Sequence, residues 1–181
     1  MLNKDNTALV VIDIQDVLMP ACEKVTTSYL EQSLRMIQVV KALELPVLVT
    51  EQYPERLGET NRVILDALGS ILRLPKIEFS CFANDAFREA AAQTGRKQLL
   101  LIGMETHVCV MQTALEGLEQ GYEVFIARDA VVSSRKYDYK AGLSRMIQAG
   151  VTALTVEMAI FELLRKAGTP EFKRVLPIIK G

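Results

Sequence analysis

Residues 99–110 read Leu-Leu-Leu-Ile-Gly-Met-Glu-Thr-His-Val-Cys-Val. Leu99 to Ile102 is continuously apolar, the pattern of a strand buried on both faces of a parallel sheet. Gly103 ends the run and Thr106 offers a hydroxyl to cap a helix. Val108, Met111, Leu115 and Leu118 then follow at helical spacing as far as Gly121. Cys109 falls in the first turn of that helix, where unpaired N–H groups and the positive end of the dipole favour a thiolate and can hold an oxyanion. The competing interpretation is inert packing, because cysteine is among the most buried residue types.

The same alternation extends in both directions. Upstream, 7–14 is an apolar, β-branched strand with Asp13 near its C-terminal end. Ser28 and Glu31 form a capping box for a helix ending near Glu44, and Val47 to Thr50 is a second strand. Residues 51–84 are irregular: a loop with Pro54 and Gly58, a short helix over 61–68, and a segment around Lys76 that reads as strand, loop or both. Downstream, helices over 86–93, 106–121 and 139–149 each end at a glycine and lead into strands over 98–102, 122–127 and 151–156. Helical patterns over 158–166 and toward Pro177 close the chain. Alternating strands and helices predict an α/β, three-layer Rossmann-like fold: a six-stranded parallel sheet, order 3-2-1-4-5-6, with helices on both faces. That order sets Asp13 and Cys109 at the topological switch point, where open α/β sheets bind ligands.

Composition narrows the function. The 181 residues are expected to form one domain, 1–181, and are half hydrophobic. Lys plus Arg number 21 against 22 Asp plus Glu, so nothing basic is available to hold a phosphate backbone and no nucleic-acid partner is expected. Cys22, Cys81 and Cys109 form no paired framework, and the apolar run near the N-terminus is short and broken by Asp13; both favour a cytoplasmic protein with no membrane span. No G-x-G-x-x-G or Walker A motif is present, so no cofactor is expected. The apolar side chains Ile160, Phe161, Leu163 and Leu164 exceed what one sheet covers and predict a homo-oligomer.

Three elements, VVIDIQ around Asp13, LPKIEFSCF around Lys76 and GMETHVCV around Cys109, resemble the isochorismatase-like cysteine hydrolases, which include nicotinamidases and N-carbamoylsarcosine amidases. The resemblance covers nearly the whole chain and is similar above all to the short isochorismatase-domain-containing hydrolases, some of which carry a ribonuclease label. It implies a catalytic triad of Asp13, Lys76 and Cys109, a thioester-type intermediate on a small amide- or carbonyl-containing molecule, and an oxyanion hole from the N–H groups of Glu105 and Cys109 beside a cis Met104–Glu105 peptide. Taken alone, Asp13 could simply cap a turn, and Lys76 would pass for a surface lysine. Gln15, Gln52, Tyr53 and Phe82 lie on segments expected to border the pocket and are candidate substrate contacts. Cys22 and Cys81 are expected to be structural, and Asp129 to anchor a turn. The metal of the nicotinamidases is held by an Asp and two His after the second strand, whereas the only histidine of this chain is His107, a helix-start residue; no metal site is expected. A catalytically idle binding or scaffold protein is the main alternative, and a nuclease the weaker one.

Overall fold

The computed structural model describes residues 1–180. Six parallel strands, β1 (Thr7–Ile12), β2 (Val47–Gln52), β3 (Arg73–Lys76), β4 (Gln98–Met104), β5 (Glu123–Val132) and β6 (Thr152–Leu154), form one sheet in the order β3-β2-β1-β4-β5-β6. The expected order is thus observed.

Strand alternation divides the apolar side chains between two layers. Leu9, Val11, Leu100, Ile102 and Phe125 face one side, covered by α1 (Glu23–Ala42), α3 (Arg62–Leu68), α7 (Val156–Leu164) and α8 (Pro170–Lys180). Val10, Ile12, Leu99, Leu101 and Ile126 face the other, covered by α4 (Asp85–Gln93), α5 (Met111–Glu119) and α6 (Lys136–Gln148). Because both faces are covered, β1 and β4 are buried from end to end, which is why their sequences are continuous apolar runs.

Several boundaries differ from expectation. The Ser28–Glu31 capping box does not open α1; the helix starts a turn and a half earlier, with Cys22 at its N-cap. Thr106 caps nothing. The chain enters α5 through a π-helical turn, Thr106–Val110, that widens the first turn carrying Cys109. The last strand is only Thr152–Leu154, because Thr155 caps α7 with its side chain. The irregular 51–84 segment resolves into a short helix, α2 (Pro54–Leu57), then α3 and β3, an edge strand where Pro75 costs no ladder bond on its free side. On α7, Ile160, Leu163 and Leu164 are buried while Met158 and Phe161 stay half exposed.

Gly103 fixes the approach of the two central strands. Its φ is +128°, and a Cβ there would lie 2.0 Å from the carbonyl oxygen of Ile12, inside the β1–β4 ladder. Gly103→Ala is therefore expected to destabilise the fold by about 3 kcal/mol or more, whereas Gly95→Ala, at φ +65° with open space around it, should cost only about 1–2 kcal/mol. Urea midpoints at unchanged slope measure both; equal shifts would contradict the close approach.

Candidate active site

Asp13 follows β1 directly, in the left-handed region at φ 51°, a conformation that Asp tolerates better than most residues. Its backbone turns out of the strand there and its carboxylate, fully buried, points along the carboxyl edge of the sheet. Thr50, two residues before the end of β2, donates its hydroxyl to Oδ1 at 2.7 Å. Lys76, the last residue of β3, brings Nζ to Oδ2 at 2.7 Å, with side chains 1% and 0% exposed. The ammonium also donates to Gln52 Oε1 at 2.5 Å and to the carbonyls of Glu78 and Phe79 at 3.1 and 3.3 Å. Burial alone would lower Lys76, but the Asp13 carboxylate and the nearby Cys81 and Cys109 sulfurs outweigh it and hold the ammonium above its ordinary value.

Cys109 arrives from the other side of the switch point, on the π-helical turn after β4. Its Sγ lies 3.8 Å from Gln52 Oε1, and the residue is 5% exposed. The helix-start position alone suggests an easily ionised thiol. The surroundings reverse this: burial pushes the thiol up to about 12, the Asp13 carboxylate adds to the rise, and Lys76 only partly opposes it. The resting form is a neutral thiol beside a carboxylate. The peptide Met104–Glu105 is cis. The carbonyl of Glu105 accepts from Val108 N at 3.0 Å and Val110 N at 3.2 Å, a π-type pattern that skips the N–H of Cys109. The Glu105 side chain is held from outside, accepting from Ser134 N at 3.1 Å and Ser134 Oγ at 3.3 Å.

The other candidates are distributed unevenly. Gln15 is fully buried and its amide bonds the N–H and C=O of Gln52 (2.8 and 3.0 Å) and the carbonyl of Gly58 (2.6 Å), so it clamps the end of β2. Gln52 stands between Lys76 and Cys109. Tyr53 begins α2 at φ 40°, and beside it a shallow cavity of about 190 Å³ is lined by Pro54, Pro75, Ile77 and Asn84. Phe82 packs edge-on against Phe87 with centroids 5.2 Å apart, deep in the second layer. Cys81 is buried, 3.8 Å from Thr50 Oγ1, and burial raises its thiol to about 11; Cys22 is exposed. Asp129 accepts from Val156 N at 2.8 Å and anchors the start of α7. His107 shares Nδ1 with Ser133 Oγ at 3.0 Å and lies 3.3 Å from the Glu105 carboxylate.

Sequence reasoning missed Thr50 and Ser134. Thr50 left one trace, a lone polar residue closing the apolar run Val47–Val49; Ser134 left none, because its partner is 29 residues away. A metal of the nicotinamidase type does not fit. The carboxamide of Gln52 is already engaged by Lys76 and Ile77, and among the described residues no three His, Cys, Asp or Glu cluster to hold a metal ion.

The family model described as "Isochorismatase domain" matches residues 7–158. A "Secreted isochorismatase effector Isc1" of Phytophthora sojae is 37% identical over 179 residues, covering 97% of this chain and 85% of that protein. "Isochorismatase domain-containing protein 1" of Salmo salar is 37% identical over 147 residues, 81% of this chain; the matched region spans only 52% of that longer protein. Among solved structures, the MAR1 ribonuclease from Caenorhabditis elegans superposes with a TM-score of 0.90 at 31% identity, covering 99% of this chain and 92% of that one. With a family model over most of its length and relatives well above 30% identity, the chain belongs to the isochorismatase family.

Proposed function

We propose that this family member is a cysteine hydrolase in which Asp13, Lys76 and Cys109 act together on a small, uncharged amide- or carbonyl-containing molecule. The observation that carries the proposal is the convergence of a thiol, a carboxylate and an ammonium at the carboxyl ends of β1, β3 and β4, with the two charges paired at 2.7 Å.

The chemistry follows from the protonation states. With its thiol at about 12, only roughly one Cys109 in 10⁵ is a thiolate at pH 7, so the nucleophile has to be made at the moment of attack. Asp13 takes the Sγ proton as sulfur bonds to the carbonyl carbon, and the carbonyl π electrons move to oxygen. The N–H groups of Cys109 and Glu105 receive that oxyanion; in the π-type turn the Glu105 carbonyl, the usual helical partner of the Cys109 N–H, is taken by Val108 and Val110 instead. Collapse expels the leaving group, which departs with the proton from Asp13, and leaves a thioester. Asp13 then deprotonates water, which attacks the thioester, and the sulfur leaves as thiol. Lys76, paired with Asp13 at 2.7 Å, holds the carboxylate in place between steps.

The same bonds favour an uncharged substrate. The Lys76 ammonium is saturated by Asp13, Gln52 and two carbonyls, so it has no capacity left for a substrate carboxylate. Net charge −1 and a thiol 5% exposed disfavour a nuclease, the activity in the name of the Caenorhabditis neighbour. The half-exposed Met158 and Phe161 support association of copies, and three unpaired cysteines support a reducing compartment. No helix among the described residues is long and apolar enough to cross a membrane.

A screen of small neutral amides, ureas and esters tests the proposal. Any hydrolysis found should vanish in Cys109→Ala and fall by about 10³-fold in Asp13→Asn, within the range for loss of a general base. Turnover that survives Cys109→Ala would sink it, and a fold intact in Cys109→Ala with no wild-type turnover on any substrate would favour the idle-scaffold alternative. The same activity is expected to be unchanged in strong chelator. Loss restored by zinc or iron would reveal a metal site built by residues outside the Asp13–Lys76–Cys109 cluster.

A further inference from the structure

Gln52 closes β2 between the ion pair and the thiol, and its orientation is determined by its partners. Nε2 donates to the carbonyl of Ile77 at 2.9 Å, which turns Oε1 toward the Lys76 ammonium at 2.5 Å and the Cys109 sulfur at 3.8 Å. Its backbone is gripped on both sides by the Gln15 amide. A glutamine on one strand end therefore fixes a glutamine on the next, which fixes the ammonium.

The ammonium has three hydrogens and four acceptors, of which only Asp13 is charged. Asp13 and Lys76 balance each other, so losing the Cys109 proton to solvent, as alkylation of the free thiolate requires, brings the cluster to a single negative charge. A carboxylate at position 52 would start the cluster at that value and force a second negative charge beside it in a buried site.

We infer that Gln52 is a positioning residue for the hydrolase proposed above: an uncharged acceptor that aims the Lys76 ammonium and keeps the cluster one negative charge lighter, so that Cys109 can give up its proton. The inference rests on the Asp13–Lys76–Cys109 reading, and the test separates the two. Titratable groups facing the thiol are Asp13 from β1, Lys76 from β3 and Cys81. Glu105 and His107 precede it on its own turn, held by Ser134 and Ser133.

The experiment follows iodoacetamide alkylation of Cys109 by peptide-resolved mass spectrometry between about pH 6 and about pH 10, below the Cys109 value of about 12, so that the rate tracks the thiolate fraction at each pH. A Cys22→Ser background removes the exposed competitor. Gln52→Glu should displace the rate profile upward by about one pH unit, roughly a tenfold slowing at fixed pH. Gln52→Met, similar in length but with only a weakly accepting thioether, adds no charge and should slow alkylation several-fold, clearly less than Gln52→Glu does. A Gln52→Glu profile that superimposes on the parent overturns the inference. Should Gln52→Glu fail to fold, an unchanged rate in Gln52→Met overturns it equally. Lys76→Met in the same assay probes the parent reading. If it leaves Cys109 reactivity unchanged, the triad itself is wrong; if it slows the reaction while both Gln52 variants match the parent, only the role of Gln52 is.

Discussion

Two opposite charges buried 2.7 Å apart, Lys76 Nζ and Asp13 Oδ2, are the constraint around which the carboxyl edge of the sheet is built. Removing both from water costs several kcal/mol per ion unless the remaining lone pairs and protons find partners. In this site they do. Thr50 fills Oδ1, and Gln52 with the carbonyls of Glu78 and Phe79 fills the ammonium. Thr50 and Gln52 come from β2 and the two carbonyls from the segment after β3, so the pair is satisfied only when β1, β2 and β3 hold their register. The 77–79 segment turns its carbonyls inward and leaves Ile77 and Phe79 exposed, an arrangement that makes sense only as a shell around Lys76.

The thiol illustrates how magnitude decides between opposing effects. A helix start offers a cysteine about 0.3–1 kcal/mol of help toward ionisation. Burial and the Asp13 carboxylate raise Cys109 to about 12 from an ordinary 9.0, on the order of 4 kcal/mol in the other direction. The dipole loses. What the turn supplies is geometry: a π-type offset that leaves the N–H of Cys109 without its usual carbonyl, and a Glu105 backbone steadied through its side chain by Ser134. In the proposed mechanism the site stabilises charge that develops on a substrate, with Asp13 as its base.

How much of this was legible in the sequence depended on the range of the interactions involved. The strands and their order could be read because double-sided burial writes itself as apolar runs, as in Leu99–Ile102, and glycines mark the helix ends. Asp13 and Cys109 could be brought together from that order alone. Lys76 could not: it ends a four-residue edge strand containing Pro75, with no periodicity to point its side chain inward, and only the family resemblance singled it out. Gln15 and Gln52 were seen as pocket residues, but their bonds to each other span 37 positions and have no local signature. The start of α1 at Glu23 was missed because a capping box in mid-helix looks the same in sequence as one at a helix end.

If the buried Asp13–Lys76 pair is kept for the proposed chemistry, the fold need not depend on it for stability. A double-mutant cycle in urea on Asp13→Asn and Lys76→Met tests it most directly. Each single replacement strands a buried charge and should cost about 3–5 kcal/mol, while the double replacement strands no charge, leaves only the neutral acceptors of Gln52, Glu78 and Phe79 without a donor, and should cost clearly less than the sum of the two, with Cys109 no longer able to attack a substrate. If the double variant instead loses the sum of the two single costs, the pair holds the fold together and the claim is contradicted.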